Sequence, residues 1–172
     1  MDCYRKSAVE AFEKVETLVR AWLEEERITR VDVYLNGLGD VGDTRCWLTT
    51  DGERKSVHVD RNAGSAINKL RGMQALPGRG AWFYSHLWME MPEEVLHQES
   101  DWMCEPDMGF DEVPLGAYKT ELDRYPRDQE FIPDWLRDKV ERWRLERGPV
   151  VARRVAHLEE EFRLEGGKYR YP

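Results

Sequence analysis

The dipeptide Asp51-Gly52, which separates two short runs of mixed apolar and polar residues, is the strongest constraint on the fold of this chain. Both central positions of a type I′ turn need positive φ, a conformation that Asp and Gly adopt readily, so the dipeptide predicts a β-hairpin. Its arms are residues 45–50 and 55–60. Residues 30–35 alternate between apolar and polar types and predict a further half-buried strand. An antiparallel sheet is therefore expected at the centre of the fold.

Helical periodicity flanks these strands. Apolar residues recur at helical spacing over residues 3–26, which predicts an amphipathic N-terminal helix. A second helix is expected over about residues 63–76, capped by Asp60 or Asn62. The aromatic-rich residues 81–103 predict a second hairpin.

Prolines divide the C-terminal part. Pro126 ends one short helix, and Pro133 suits the first turn of the next, where a missing N–H costs nothing. Gly148-Pro149 is expected to break that helix, so that a last helix begins near Val151. The predicted fold is α+β, in one domain over residues 1–172. It has an antiparallel sheet of about five strands, an N-terminal helix, one helix between strands 3 and 4, and two or three C-terminal helices.

Composition excludes some classes of function. The chain of 172 residues carries a formal net charge of −8, which argues against binding to nucleic acid, because phosphates attract Lys and Arg. The same charge suits a basic protein partner. Cys3, Cys46 and Cys104 form no ligand-spaced pair and are typical of reduced thiols. With no signal-peptide core and no run of membrane-spanning length, the sequence predicts a cytoplasmic protein that binds no membrane.

No catalytic or cofactor motif stands out. Gly37, Gly39 and Gly42 have the spacing of a dinucleotide-binding loop, but the residues after them predict a strand and not the helix that would hold a pyrophosphate. We therefore interpret Gly37 to Asp43 as a hairpin loop. The sequence predicts no cofactor, no metal and no catalytic residue.

Two histidines on the arms of the second hairpin offer an alternative. If the hairpin turns near Pro92, one sheet face carries Trp82, Tyr84, His86 and Trp88 opposite His97, Glu99 and Asp101. Such a group could bind a divalent metal or support acid–base chemistry. A polar, partly exposed sheet face with cross-strand hydrogen bonds explains the same residues and is preferred.

Two segments suit contact with a partner. The first mixes acids with aromatic and methionine side chains, a composition found at interfaces. Its candidate residues are Asp101, Trp102, Glu105 and Asp107. The second is the start of the second helix, where Asn62, Gly64 and Ser65 could present backbone to a partner. An ordinary surface loop and a helix cap, respectively, are the competing interpretations.

Four segments together, in this order, resemble a known family. They are Leu70–Met73, Pro77–Phe83, Asp101–Pro106 and Tyr125–Arg137, and the resemblance spans roughly residues 65–140. The chain resembles small cytosolic actinobacterial immunity proteins of polymorphic toxins, similar to the YezG-like proteins or to the immunity factor for tuberculosis necrotizing toxin.

The resemblance implies an antitoxin without catalytic activity. Such a protein binds a cognate secreted toxin domain and blocks its active site, and a relative of the necrotizing-toxin factor would inhibit an NAD glycohydrolase. A glycine-bearing loop can enter a narrow cleft because no Cβ obstructs the approach. Gly64, and the loop that contains Gly37, Gly39 and Asp40, are the candidates for insertion. The alternatives are a metal-dependent enzyme that uses His86, His97 and Glu99, and a secretion adaptor that binds without inhibiting.

Overall fold

A five-stranded antiparallel sheet forms the centre of the structure, a computed structural model that describes residues 2–109 and 112–164. The order across the sheet is β3-β2-β1-β4-β5. The prediction of an α+β fold around about five antiparallel strands is confirmed. The strands are β1 (Arg30–Leu38), β2 (Val41–Thr50), β3 (Glu53–Val57), β4 (Tyr84–Glu90) and β5 (Leu96–Asp101).

Two tight hairpins join the first three strands. Asp51 and Gly52 have φ of 50° and 81°, so the turn predicted from this dipeptide is confirmed. The loop predicted over Gly37 to Asp43 is wrong, because β1 and β2 stay paired until Leu38 faces Val41. Gly39, with φ of 61°, and Asp40 form a two-residue turn, so Gly37 and Gly42 lie within the paired part of β1 and β2.

Helices α1 (Asp2–Glu26) and α2 (Arg61–Met73) cover one face of the sheet. The Asp60 carboxylate caps α2 by accepting hydrogen bonds from the backbone N–H groups of Asn62 and Ala63 at 2.8 and 3.0 Å. Asp60, and not Asn62, is therefore the N-cap. The core side chains are Val15, Val19 and Leu23 of α1, Ile67 and Leu70 of α2, and Val31, Val33, Leu35, Cys46, Leu87, Met89 and Leu96 of the sheet.

The last two helices pack at one end of the sheet. Helix α3 (Leu115–Arg124) ends before Pro126, as predicted. Helix α4 (Asp134–Leu164) begins one residue after Pro133, which was predicted in its first turn and instead directly precedes the helix. A second core cluster joins both helices to the end of β1 and the start of β4. Its buried members are Leu38, Phe83, Met108, Ala117, Tyr118, Leu136 and Val140.

The break predicted at Gly148-Pro149 is wrong, because α4 continues through it. A proline inside a helix removes one hydrogen bond and usually kinks or ends it. Here the preceding residues 141–147 are mostly Glu and Arg, which are good helix formers, so the local propensity favours continuation. No helix in the described residues is apolar enough over sufficient length to cross a membrane.

Candidate partner-binding surface

The sheet face opposite α1 and α2 carries the side chains that alternate with the core positions. In the described part of the chain, their hydrogen bonds, ion pairs and ring contacts run within this face or to adjoining loops. We name this surface the open sheet face. It consists of Arg30, Asp32, Tyr34, Asn36, Asp43, Arg45, Trp47, Thr49, Arg54, Ser56, Tyr84, His86, Trp88, Glu90, His97, Glu99 and Asp101.

A ladder of stacked rings crosses the middle of the open sheet face. The rings of Tyr34 and His86 lie 4.4 Å apart and nearly parallel, at 8°. His86 stacks on Trp88 at 4.7 Å, and Trp88 stacks on His97 at 5.1 Å. Each ring is half-buried by its neighbours. Stacking fixes the side-chain rotamers before any partner arrives, so little conformational entropy remains to be lost on binding.

A buried carboxylate fixes the ladder to the neighbouring strand. Asp32 has a side chain only 6% exposed. It accepts hydrogen bonds from Arg30 Nε at 2.9 Å and Arg30 Nη2 at 2.8 Å, and His86 Nε2 lies 2.9 Å from its Oδ1. Burial raises the pKa of Asp32, but the hydrogen bonds from Arg30 and His86 outweigh it and hold the pKa below its usual range. Asp32 is thus ionised at neutral pH and acts as the acceptor toward both neighbours.

The common sheet face predicted for the two histidines is confirmed, and the register centres between Pro92 and Glu93. His86 faces Glu99, Trp88 faces His97, and Tyr84 faces Asp101. Trp82 does not belong to this face as predicted. It is 2% exposed and lies in the core under the helices, because β4 begins only at Tyr84 and the alternation does not extend back to it.

The geometry does not support a metal site at His86, His97 and Glu99. Across residues 2–109 and 112–164, no three His, Cys, Asp or Glu side chains converge on a point that an ion could occupy. The Trp88 indole stacks on both imidazoles, and His86 directs Nε2 to Asp32. The residues instead form the polar, cross-strand bonded face that was the preferred interpretation.

Gly37 and Gly39, predicted to be in an inserted loop, are buried and serve internal contacts. A Cβ on Gly37 would lie 2.7 Å from Cδ and Nε of Arg71, which crosses the strand at this point. Gly39 donates its N–H to Glu121 Oε2 at 2.7 Å. Asp40 alone is exposed, at the rim of a groove of about 550 Å³ that these glycines also line.

The predicted residues on α2 occupy a different surface. Asn62 and Ser65 are exposed and line a groove of about 590 Å³ between α1 and α2. Gly64 is half-buried, and a Cβ placed on it would meet Val59 at 3.7 Å, an ordinary contact distance. This segment and the β1–β2 turn line separate grooves, so the structure does not bring the two glycine-bearing candidates into one pocket.

The acidic segment after β5 adjoins the open sheet face. Asp101 accepts hydrogen bonds from the backbone N–H groups of residues 103 and 104 at 2.7 and 3.1 Å. Asp107 pairs with Arg45 at 3.1 Å, and Glu105 lies 3.9 Å from Lys139 on α4. The guanidinium carbon of Arg79 lies 4.7 Å from the centre of the half-buried Trp102 ring. Of the predicted partner-binding residues, Asp101 therefore lies on the open sheet face and Asp107 lies beside it.

A buried ion network was not predicted. The side chain of Glu121 is 0% exposed and pairs with Arg71 Nη2 at 2.8 Å and Arg127 Nη2 at 3.6 Å. Burial lowers the pKa of Arg127 to about 10, so this guanidinium remains charged at neutral pH. Arg71 also donates to the Trp82 carbonyl at 2.7 Å. Arg127 donates to the Trp102 carbonyl at 2.9 Å.

All four segments that carry the family resemblance meet at this network. Arg71, Trp82, Trp102 and Arg127 each come from a different one. A Cβ on Gly80 would lie 2.5 Å from Arg127 Nε, so the glycine makes room for the guanidinium. These motif residues therefore hold the fold together. No model of a known protein family matches the chain, and no curated protein sequence matches it.

Proposed function

We propose that this chain is a cytoplasmic immunity protein that binds a cognate secreted toxin domain and blocks the toxin's active site. An NAD glycohydrolase is the class of toxin that the resemblance suggests. The observation that carries the proposal is the open sheet face, which presents two tryptophans, two tyrosines and three arginines on one surface. Trp, Tyr and Arg are the residues that contribute most of the binding energy at protein interfaces.

The arrangement of the face supports binding. Its rings stack on one another and its central carboxylate is held by Arg30 and His86, so the surface is ordered in the free protein. Inhibition by occlusion demands a rigid, complementary surface and requires no chemistry from the inhibitor. The net charge of −8 favours fast association with a basic toxin domain.

Co-expression with the toxin domain encoded by the neighbouring gene tests the proposal. We expect the chain to restore growth of a host that the toxin alone arrests, and to form a stable complex on gel filtration. With purified components, added protein should abolish NAD hydrolysis in a stoichiometric titration. A complex that leaves toxin activity unchanged would instead indicate the secretion adaptor, and failure to bind would refute the proposal.

A further inference from the structure

We propose that the open sheet face is the docking surface and that it receives a basic, partly apolar patch of the toxin domain. Trp88 is the central anchor, and Glu99 and Asp101 on the edge strand β5 pair with Lys or Arg of the partner. This inference rests on the proposed function and names the surface through which it operates. It replaces the glycines at 37, 39 and 64 as the candidate contact residues.

The aromatic ladder, which runs from β1 over β4 to the edge strand β5, has the form of an interface hot spot. In the sheet register, Trp88 faces Asp32 of β1 on one side and His97 of β5 on the other. Its indole stacks on the rings of His86, on the same strand, and of His97. Hot-spot residues cluster near the centre of an interface, and contacts around them exclude water. Arg30 and Glu90 pair at 3.2 Å beside Trp88 and supply part of such a polar rim.

Charge is distributed unevenly across the face. Arg30 and Arg45 both have acidic partners within the face or beside it. Among the described residues, Glu99 and Asp101 on β5 have no ion-pair partner. At the opposite edge, Arg54 on β3 contacts the Tyr34 hydroxyl and the Trp47 ring. The open sheet face therefore presents a negative edge on β5, which is complementary to a cationic patch of the toxin.

A protein fits this face better than single-stranded RNA, which also binds aromatic residues on sheets. RNA recognition needs rings with free faces and cations that follow the phosphates. Here the ladder rings are stacked on one another, and the acids Asp43, Glu90, Glu99 and Asp101 share their surface. Their carboxylates would repel a phosphate backbone.

Binding measurements on the full-length chain test the surface. The probe is the purified toxin domain from the neighbouring gene, and the readout is the dissociation constant with its rate constants by surface plasmon resonance. We expect Trp88→Ala to raise Kd by about 30-fold, mainly through faster dissociation. Glu99→Lys should lower the association rate constant about 10-fold at low salt and weaken its dependence on ionic strength.

Matched controls lie away from the face. Met73, 39% exposed on α2, provides Met73→Ala as the apolar truncation, and Glu25, exposed on α1, provides Glu25→Lys as the charge reversal. Both should bind like the wild-type protein. Glu99→Lys changes an exposed side chain, so it reports on the surface even if Trp88→Ala lowers stability.

The outcomes separate the two proposals. Absence of wild-type binding defeats the proposed function and this surface together. If the wild-type protein binds and both Trp88→Ala and Glu99→Lys bind equally well, the proposed surface is wrong but the proposed function stands. Loss of binding in Met73→Ala would instead place the binding site in the groove between α1 and α2. Fluorescence anisotropy with a labelled oligouridylate is expected to show no binding. Trp88-dependent binding of that RNA would overturn the choice of a protein partner.

Discussion

Replacing Glu121 by Gln should cause the largest loss of stability among conservative substitutions in this chain. The carboxylate is fully buried, pairs with Arg71 at 2.8 Å and lies 3.6 Å from Arg127. Removing one partner of a buried ion pair costs about 3–5 kcal/mol, because the remaining charge is left uncompensated in a medium that solvates it poorly. Glu121→Gln leaves two guanidinium groups in that condition, so we expect about 4 kcal/mol or more. The amide retains an acceptor for the Gly39 N–H.

The size of this loss is measurable by thermal and urea denaturation. With an entropy of unfolding of about 2.1 cal/mol/K per residue, a chain of 172 residues loses about 11 °C in Tm for 4 kcal/mol. Asp123→Asn on the same helix is the matched control, because its ion pair with Lys119 is on the surface. It should lower Tm by less than about 2 °C. A loss below about 1 kcal/mol in Glu121→Gln would refute the argument that this network holds the fold together.

Three further predictions concern other positions. Gly64→Ala should raise the free energy of unfolding by about 0.5–1 kcal/mol, because alanine favours a helix more than glycine does. Gly37→Ala should lower the free energy of unfolding by about 1–3 kcal/mol, because the added Cβ would overlap Arg71. Urea titrations that give the same sign for both variants would contradict this. Burial raises the pKa of the Cys46 thiol to about 12. Iodoacetamide at pH 8 should therefore label Cys46 in urea but hardly in the native protein. Equal labelling of the two states, measured by mass spectrometry, would contradict this. The pKa of Asp32 is lowered on folding, so its ionisation stabilises the native state above pH about 4 and this contribution is lost as pH falls through the native pKa. The stability difference between wild type and Asp32→Asn should therefore shrink between pH 7 and pH 3, and a constant difference would refute the assignment.

Local signals in the sequence were sufficient for most elements. Asp51-Gly52 defined its hairpin because positive φ at two successive positions is a local requirement. The shared face of His86, His97 and Glu99 followed from the turn expected near Pro92, although the observed register centres between Pro92 and Glu93. These predictions succeeded because each depends on residues close together in the chain. Gly148-Pro149 misled for the same reason, since a local break signal was outweighed by the helical preference of the residues before it.

The functions of the buried glycines and ions depend on residues far apart in the chain. Gly37 suggested a loop, but it allows Arg71, 34 positions later, to cross the strand. Glu121 shares its helix with Lys119, Asp123 and Arg124, and nothing in that pattern distinguishes a buried carboxylate from a solvated one. The close approach between Gly80 and Arg127 likewise needed the folded chain. The periodicity of apolar residues does not show which polar residues become buried in the folded chain. The sequence therefore did not predict these contacts.

The residues that fix the shape of the molecule and those assigned to binding lie in different places. The Glu121 network joins α2, α3 and the segments before β4 and after β5, and it leaves the aromatic ladder outside the core. Asp107 belongs to the side of the open sheet face, because its carboxylate pairs with Arg45 and its N–H donates to Asn36. Substitutions of exposed side chains on the face should therefore change affinity without a comparable change in stability. Substitutions in the network should change affinity only as far as they unfold the chain.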